Sequence, residues 1–220
     1  MAERNLNVPR NVLLQLISLD RSRSLWAAVG AYFLFYFAPG FHTPLYYYQT
    51  NTLKLSQQFI GNLGMISGVM GMTAALGYSV LCRRLTMRNA LIFCVSMEIV
   101  GALCFHFYTS AGHALFVEGF SGLTTTLAEL ALMDLAARAT PRGSESVGYA
   151  IMLSMRNGAL AVSDVIGSNL LQHYHLSFHQ LIWINAGFTA LIFLVIPFLP
   201  RLLMRSRDGD LSSLANASAS

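Results

Sequence analysis

Six long apolar runs occupy most of this chain and leave only short polar segments between them. They cover residues 24–48, 57–81, 89–108, 113–137, 146–171 and 178–199. At a rise of about 1.5 Å per residue, roughly 20 residues of α-helix cross the hydrocarbon core of a bilayer. We therefore predict an all-α integral membrane protein, a bundle of six transmembrane helices.

The composition excludes a soluble fold. Of the 220 residues, 55% are apolar and only 11% are charged, and the mean hydropathy is +0.53. An ordinary globular domain carries roughly 25% charged residues. A soluble chain of this length has too little interior to bury so much apolar surface, so the bilayer is the expected partner.

The positions of the basic residues predict how the protein is oriented in the membrane. Twelve of the 14 Lys and Arg residues fall before the first run, in alternate gaps, or after the last run: Arg4, Arg10, Arg21, Arg23, Arg83, Arg84, Arg88, Arg138, Arg142, Arg201, Arg205 and Arg207. The opposite loops contain only Lys54. Because basic loops mark the cytoplasmic face, we predict a multi-pass protein with both termini cytoplasmic, in the plasma (inner) membrane. It divides into an amphipathic cytoplasmic segment (1–23), the bundle (24–200) and a basic, disordered cytoplasmic tail (201–220).

Charged residues inside the runs are candidate functional groups, because a charge in the bilayer core is unfavourable unless it is paired or hydrated. Glu129 lies nine residues from Arg138, and Arg156 lies ten residues from residue 146. Both are therefore about 13–15 Å from the same membrane face. This depth predicts a Glu129–Arg156 ion pair. Glu98 lies at a similar depth, and one carboxylate at this level is then free to carry a proton; the alternative is a charge network that only orders the bundle.

The fourth run carries a polar stripe. Glu118, Gly122, Thr125 and Glu129 are spaced 4, 3 and 4 residues apart, which places them on one helix face. Such a face avoids lipid and lies against a water-filled cavity or a polar partner helix. We favour a substrate cavity. Asp134, close to the end of the run, is expected to pair with Arg138 four residues later.

The second run carries small residues at a regular spacing. Gly61, Gly64, Gly68, Gly71 and Ala75 lie on one narrow face, which predicts close packing against another helix. The sequence does not show whether that helix belongs to the same chain.

The first run is interrupted by proline. Pro39-Gly40 and Pro44 predict a broken helix, and such helices often line binding sites in transporters. Tyr46 and Tyr47, with Tyr48, follow the break. They are candidates for stacking on a flat substrate, although an aromatic belt at the membrane interface is the favoured interpretation.

The chain shows no HExxH, GxSxG or paired-aspartate motif, so we do not expect an enzyme. Without an ATP-binding motif, we expect no cofactor and an ion or proton gradient as the driving force. His173, His175 and His179 fit a solvated loop better than a metal site.

Two segments resemble a known family. The first is the Pro39–Gly61 block, and the second contains Thr140-Pro141, Glu145, Ser154, Asn157, Asp164 and Gly167. They resemble the folate–biopterin transporter branch of the major facilitator superfamily, at the helices of its carboxyl-terminal half. The resemblance implies that the first, second, fourth and fifth helices line a central cavity and that the third and sixth lie outside. It adds Asn157 and Asp164 to the solute or ion pathway.

We therefore predict a half-length secondary transporter. It moves a small pterin- or folate-like solute by alternating access, together with a second six-helix half, either a second copy or a separate chain. The lipid bilayer and the solute are the other expected partners, and nucleic acid is not. The alternative is a truncated, non-transporting membrane protein or assembly partner, whose glycines and charges serve only packing.

Overall fold

The computed structural model describes residues 22–141, 143–199 and 204, which form helices and no strand. The helices are α1 (Arg23–Phe37), α2 (His42–Tyr47), α3 (Gln57–Arg84), α4 (Met87–Cys104), α5 (Ala111–Ala139), α6 (Glu145–Gln172), α7 (Phe178–Ala190) and α8 (Ile192–Val195). A π-helical turn (Tyr48–Thr52) follows α2, and 3₁₀ turns follow α4 (Phe105–Phe107) and α8 (Ile196–Phe198). The prediction of an all-α fold is confirmed.

Five segments of the described chain are long and apolar enough to cross a membrane. They are Ser24–Thr52, Gln57–Arg84, Met87–Phe107, Ala111–Ala139 and Phe178–Phe198. The sixth predicted span forms as α6, which is 28 residues long but is not apolar enough to meet the same criterion. Arg156 and Asp164 in its interior lower its hydropathy. Helix positions therefore match the six predicted runs, whereas hydropathy alone identifies five.

Serine residues begin several of these helices. The hydroxyl oxygens of Ser56, Ser110 and Ser177 each accept a hydrogen bond from a backbone amide in the first turn of the helix that follows. Gln180 completes a capping box with Ser177. Arg83 and Arg138 lie in the last turns of α3 and α5, where a positive charge complements the helix dipole. We call this side of the bundle the arginine end.

Helix α5 is the centre of the bundle. It packs most extensively against α3 and α4, and it also contacts α1 and α6. Helix α1 packs along α6, and α4 packs along α7. Ala128, Ala131, Leu132 and Leu135 of α5 are completely buried in the larger apolar cluster. A smaller cluster, which includes Phe105 and Phe178, closes the end opposite the arginines.

One side of α3 makes no contact within the described chain. Met65, Met72 and Leu76 are exposed to 64%, 64% and 74%. Of the four predicted packing glycines, only Gly71 is buried against α5, where its neighbours are Thr126 and Gly122. Gly61, Gly64 and Gly68 have open space around the position of a Cβ atom. Their role in helix packing stays a prediction.

The terminal predictions cannot be compared with structure. The amphipathic segment (1–23) and the basic tail (201–220) lie almost entirely outside the described residues. The same holds for seven of the basic residues used to predict orientation, which are Arg4, Arg10, Arg21, Arg142, Arg201, Arg205 and Arg207. Both termini being cytoplasmic therefore stays a prediction.

Candidate functional site

The bundle contains a partly open cavity of about 410 Å³. This volume lies within the usual range for small-molecule sites. Each of the six long helical segments contributes a polar side chain to its lining: His42, Ser67, Glu98, Thr125, Ser163 and Asn185. Such a polar cavity lets these side chains avoid both lipid and apolar packing.

Small residues create the space for this cavity. Gly68 and Gly71 on α3 and Gly122 on α5 all line it. The backbone of Ser67 lies so close to Gly122 that a Cβ atom at position 122 would overlap it. The close approach of α3 and α5 therefore requires glycine at position 122, whereas Gly68 has room for a side chain.

Glu98 reaches the cavity from α4. The Thr125 hydroxyl oxygen lies 3.1 Å from each carboxylate oxygen of Glu98. No Lys or Arg of the described residues forms an ion pair with it. The resemblance led us to expect the third and sixth spans outside the cavity. In this cavity Glu98 and Asn185 line the wall from those two spans, whereas the arrangement of the spans around a central cavity between two halves stays a prediction.

Glu118 is held at the end opposite the arginines. Its Oε1 atom accepts hydrogen bonds of 3.2 Å from Gln49 Nε2 and from the Tyr108 hydroxyl. Gln49 also donates to the Tyr108 oxygen over 2.6 Å and is only 4% exposed. The sequence did not single out Gln49 or Tyr108, since a polar residue at the end of an apolar run usually belongs to a solvated loop. The proline break nearby was the available signal.

The break in the first span is closed by hydrogen bonds from two other helices. Asn185 Nδ2 donates to the carbonyl oxygen of Pro39 over 3.0 Å, and the Ser163 hydroxyl donates to the carbonyl of Ala38. The Gly40 amide donates to the backbone carbonyl of Ser163 over 3.0 Å. Backbone groups freed by a broken helix need such partners inside a membrane protein. Ser163 and Asn185 were not predicted, because their role depends on where the broken segment lies.

Asp164 acts at the same break. Its carboxylate accepts hydrogen bonds from the Thr43 hydroxyl over 2.7 Å and from the Thr43 amide over 3.3 Å. It therefore satisfies an amide in the first turn of α2 from a distant part of the chain. Asp164 is not among the residues that line the cavity, so its predicted place on a solute pathway stays a prediction.

The predicted ion pair between the fourth and fifth spans is confirmed. Arg156 Nε lies 3.1 Å from Glu129 Oε1, and the Arg156 guanidinium lies 4.9 Å from the centre of the Tyr36 ring. Neither charged residue lines the cavity, although Tyr36 does. The neighbouring Asn157 is exposed. The structure therefore brings Glu129 and Arg156 together beside the cavity wall.

A second predicted ion pair is also present. Arg138 Nε lies 2.8 Å from Asp134 Oδ1, within one turn of α5. The Tyr78 hydroxyl of α3 donates to the other carboxylate oxygen over 3.1 Å. This pair ties α3 to α5 near the arginine end.

The candidate stacking tyrosines lie away from the cavity. Tyr46 and Tyr47 are exposed to 40% and 50%, and the Tyr46 oxygen accepts a hydrogen bond from Gln57 over 2.7 Å. Their position near the end of the span favours the aromatic-belt interpretation over substrate stacking. Among the described residues, no group of three or more His, Cys, Asp or Glu is arranged to hold a metal ion.

These features define a multi-pass helical membrane protein whose spans line a polar, solute-sized cavity. Residues 6–211 match the model of the BT1 family, and the chain belongs to that family. It is 23% identical over 176 residues to Folate transporter 1 of Plasmodium falciparum (isolate 3D7), covering 74% of this chain and 33% of the relative. It is 27% identical over 154 residues to the Folate-biopterin transporter of Synechocystis sp. (strain ATCC 27184 / PCC 6803 / Kazusa), covering 64% and 31%.

The chain thus spans about a third of the length of these curated relatives. No solved structure matches it. Both relatives are described as transporters.

Proposed function

We propose that this chain forms one six-helix half of a secondary transporter that moves a pterin- or folate-like solute across the plasma membrane. The observation that carries the proposal is the cavity, to which every span contributes a polar group. The names of the two relatives, a folate transporter and a folate-biopterin transporter, support this choice of solute.

The proposed mechanism is alternating access against a second six-helix half, as in the major facilitator superfamily. The uncovered side of α3 supports a partner half, since Gly61 and Gly64 leave room there for the backbone of another helix.

An uptake measurement tests the proposal. The full chain is expressed in cells that lack their own pterin and folate uptake, alone and with a candidate second half, and accumulation of labelled biopterin and folate is followed. We expect uptake above background when both halves are present. The proposal would be overturned if uptake of both solutes stayed at background with every partner that co-purifies with the chain.

A matched pair of variants shows whether the cavity carries the solute. Gly68→Leu places a large side chain at the cavity lining without a backbone overlap, and we expect it to abolish uptake. Gly77→Leu is the control. Gly77 lies on the same helix, also has open space at Cβ and does not line the cavity, so uptake should stay at the wild-type level.

The second candidate is a non-transporting assembly partner, favoured by the uncovered apolar side of α3. It predicts co-purification with another membrane protein and no uptake of either solute. In that case Gly61→Leu should disrupt the complex. Wild-type uptake should be at background, so neither Gly68→Leu nor Gly77→Leu should change it.

A further inference from the structure

The Glu98 carboxylate has unused hydrogen-bonding capacity at the cavity. Thr125 lies 3.1 Å from both of its oxygens, but a hydroxyl has one proton and donates to one oxygen at a time. An ionised carboxylate has about four acceptor sites. Thr124 is also a neighbour of Glu98, but its hydroxyl donates to the Ser121 carbonyl over 3.2 Å. With no Lys or Arg of the described chain in an ion pair with it, Glu98 can accept bonds from two further donors.

The other cavity carboxylate is more fully engaged. Glu118 Oε1 already accepts bonds from Gln49 and Tyr108 at the end opposite the arginines. Glu98 is therefore the carboxylate that is better placed to bind a ligand. With two carboxylates and no Lys or Arg among the described lining residues, the cavity favours solutes that present hydrogen-bond donor groups.

Aromatic rings form much of the remaining cavity wall. Phe35, Tyr36, Phe41 and Phe105 line it, and the rings of Phe41 and Phe105 meet edge to face with centres 4.9 Å apart. Aromatic walls pack well against a flat ring. A volume of about 410 Å³ accommodates a two-ring heterocycle together with a substituent.

We propose that Glu98 selects the solute by accepting two parallel hydrogen bonds from adjacent N–H donors on a flat heterocycle. Thr125 is the positioning residue that fixes the carboxylate. This inference rests on the proposed function for the kind of solute, because the amino group and neighbouring ring N–H of a pterin form such a donor pair. Two parallel bonds to a carboxylate are strong and geometrically selective.

The test compares two ligands in the same protein. Pterin and lumazine share the two-ring frame, but lumazine carries an oxygen in place of the amino group and so presents an acceptor beside the ring N–H. Binding of each to the purified full chain in lipid nanodiscs is measured by ligand fluorescence. We expect wild type to bind pterin at least about tenfold more tightly, the effect of one well-formed buried hydrogen bond.

Glu98→Gln should remove this preference. The amide offers one acceptor and one donor, which matches lumazine and opposes the second donor of pterin. We expect the ratio of the two dissociation constants to fall to about one or to invert, a change of about tenfold or more. Because the ratio is measured within one protein, the fraction of folded protein does not alter it.

Three further variants check the roles. Thr125→Val removes the hydroxyl that holds Glu98 and should reduce the pterin preference, whereas Thr125→Ser should retain it. Glu145→Gln makes the same chemical change at an exposed position away from the cavity and should leave the ratio unchanged. If Glu98→Gln does not fold, Glu98→Asp keeps the charge but shortens the side chain, and equal pterin affinity in that variant would overturn the proposal.

The proposal is also overturned if the wild-type chain binds both ligands equally or binds neither. It is overturned as well if Glu98→Gln keeps the wild-type ratio of the two dissociation constants. The uptake experiment judges the proposed function separately. If the two-half assembly takes up biopterin while the ligand ratio is insensitive to position 98, transport stands and the assignment of Glu98 fails.

Discussion

Two groups of acidic side chains inside the bundle are satisfied in different ways. Glu129 and Asp134 pair with arginines at 3.1 and 2.8 Å. Glu98, Glu118 and Asp164 instead accept hydrogen bonds from neutral groups, over 2.7 to 3.3 Å. The first group lies toward the arginine end and outside the cavity lining, whereas the second lies at the cavity or at the helix break beside it.

This difference separates two physical tasks. An ion pair cancels its own charge, so Glu129 and Asp134 can order the bundle without any ligand. A carboxylate that only neutral donors contact has no cation to balance a negative charge, in surroundings where charge is unfavourable. Glu98 can therefore accept a hydrogen bond from a donor that the described residues do not provide. The following variants measure this contrast, beginning with the largest expected effect.

Gly167→Ala should have the largest effect on stability, at the helix break where Asp164 accepts hydrogen bonds from neutral groups. Gly167 of α6 lies against the Gly40 backbone so closely that a Cβ atom would overlap it. The methyl group must force α6 away from the break, and we expect a loss of about 3 kcal/mol in the free energy of unfolding. Unfolding in mixed detergent micelles measures the loss.

Gly158→Ala is the matched control on the same helix. Its Cβ position has open space, so the variant should be neutral or up to about 1 kcal/mol more stable through helix propensity. Equal stability of the two variants would show that the close contact at Gly40 does not hold α6 in place.

Arg156→Gln should have the next largest effect, because it leaves the Glu129 carboxylate without its cation. We expect a loss of about 2 kcal/mol, below the usual cost at fully buried pairs since both side chains are partly exposed. The double variant Glu129→Gln/Arg156→Gln should recover most of it. Glu98→Gln, which leaves no cation unpaired, should change the stability by less than about 1 kcal/mol.

A double variant as unstable as Arg156→Gln would contradict this interpretation. It would show that Arg156 stabilises the bundle through its contact with the Tyr36 ring, and not through the charge of Glu129. The same unfolding measurement, repeated with Tyr36→Leu, separates the two contributions.

Helical geometry explains which parts of the site the sequence could predict. The fixed rise per residue set Glu129 and Arg156 at one depth, and adjacent antiparallel helices then brought them together. The helical period likewise placed Glu118, Gly122 and Thr125 on the face of α5 that lines the cavity. Contacts within a regular helix, or between two adjacent ones, can therefore be predicted from the spacing of residues in the sequence.

The partners of the broken segment could not be obtained in this way. Gln49, Ser163 and Asn185 meet their partners only because the chain changes direction at Pro39-Gly40. That direction depends on packing against α6 and α7, which no local pattern encodes. The sequence predicts a depth for Glu98, but the rotation of this side chain toward the cavity depends on how α4 packs against α5.

A smaller effect than that of Arg156→Gln is expected at the contact between Thr43 and Asp164. Thr43→Val removes the 2.7 Å hydroxyl bond to the carboxylate and leaves the longer amide bond in place. We expect a loss of about 1 kcal/mol, typical of a hydrogen bond to a charged group that is partly accessible. A double-mutant cycle with Asp164→Asn should give a coupling energy of similar size.

Thr50→Val is the control for that cycle. The Thr50 hydroxyl donates to the Tyr46 carbonyl within its own helical turn, over 2.9 Å, and connects no other helix. Its coupling to Asp164→Asn should therefore be close to zero. A coupling as large as that of Thr43 would mean that Asp164 stabilises the whole segment electrostatically. Asp164 would then be grouped with Glu129 and Asp134 near the arginine end. Only the cavity carboxylates Glu98 and Glu118 would remain in the group that neutral donors satisfy.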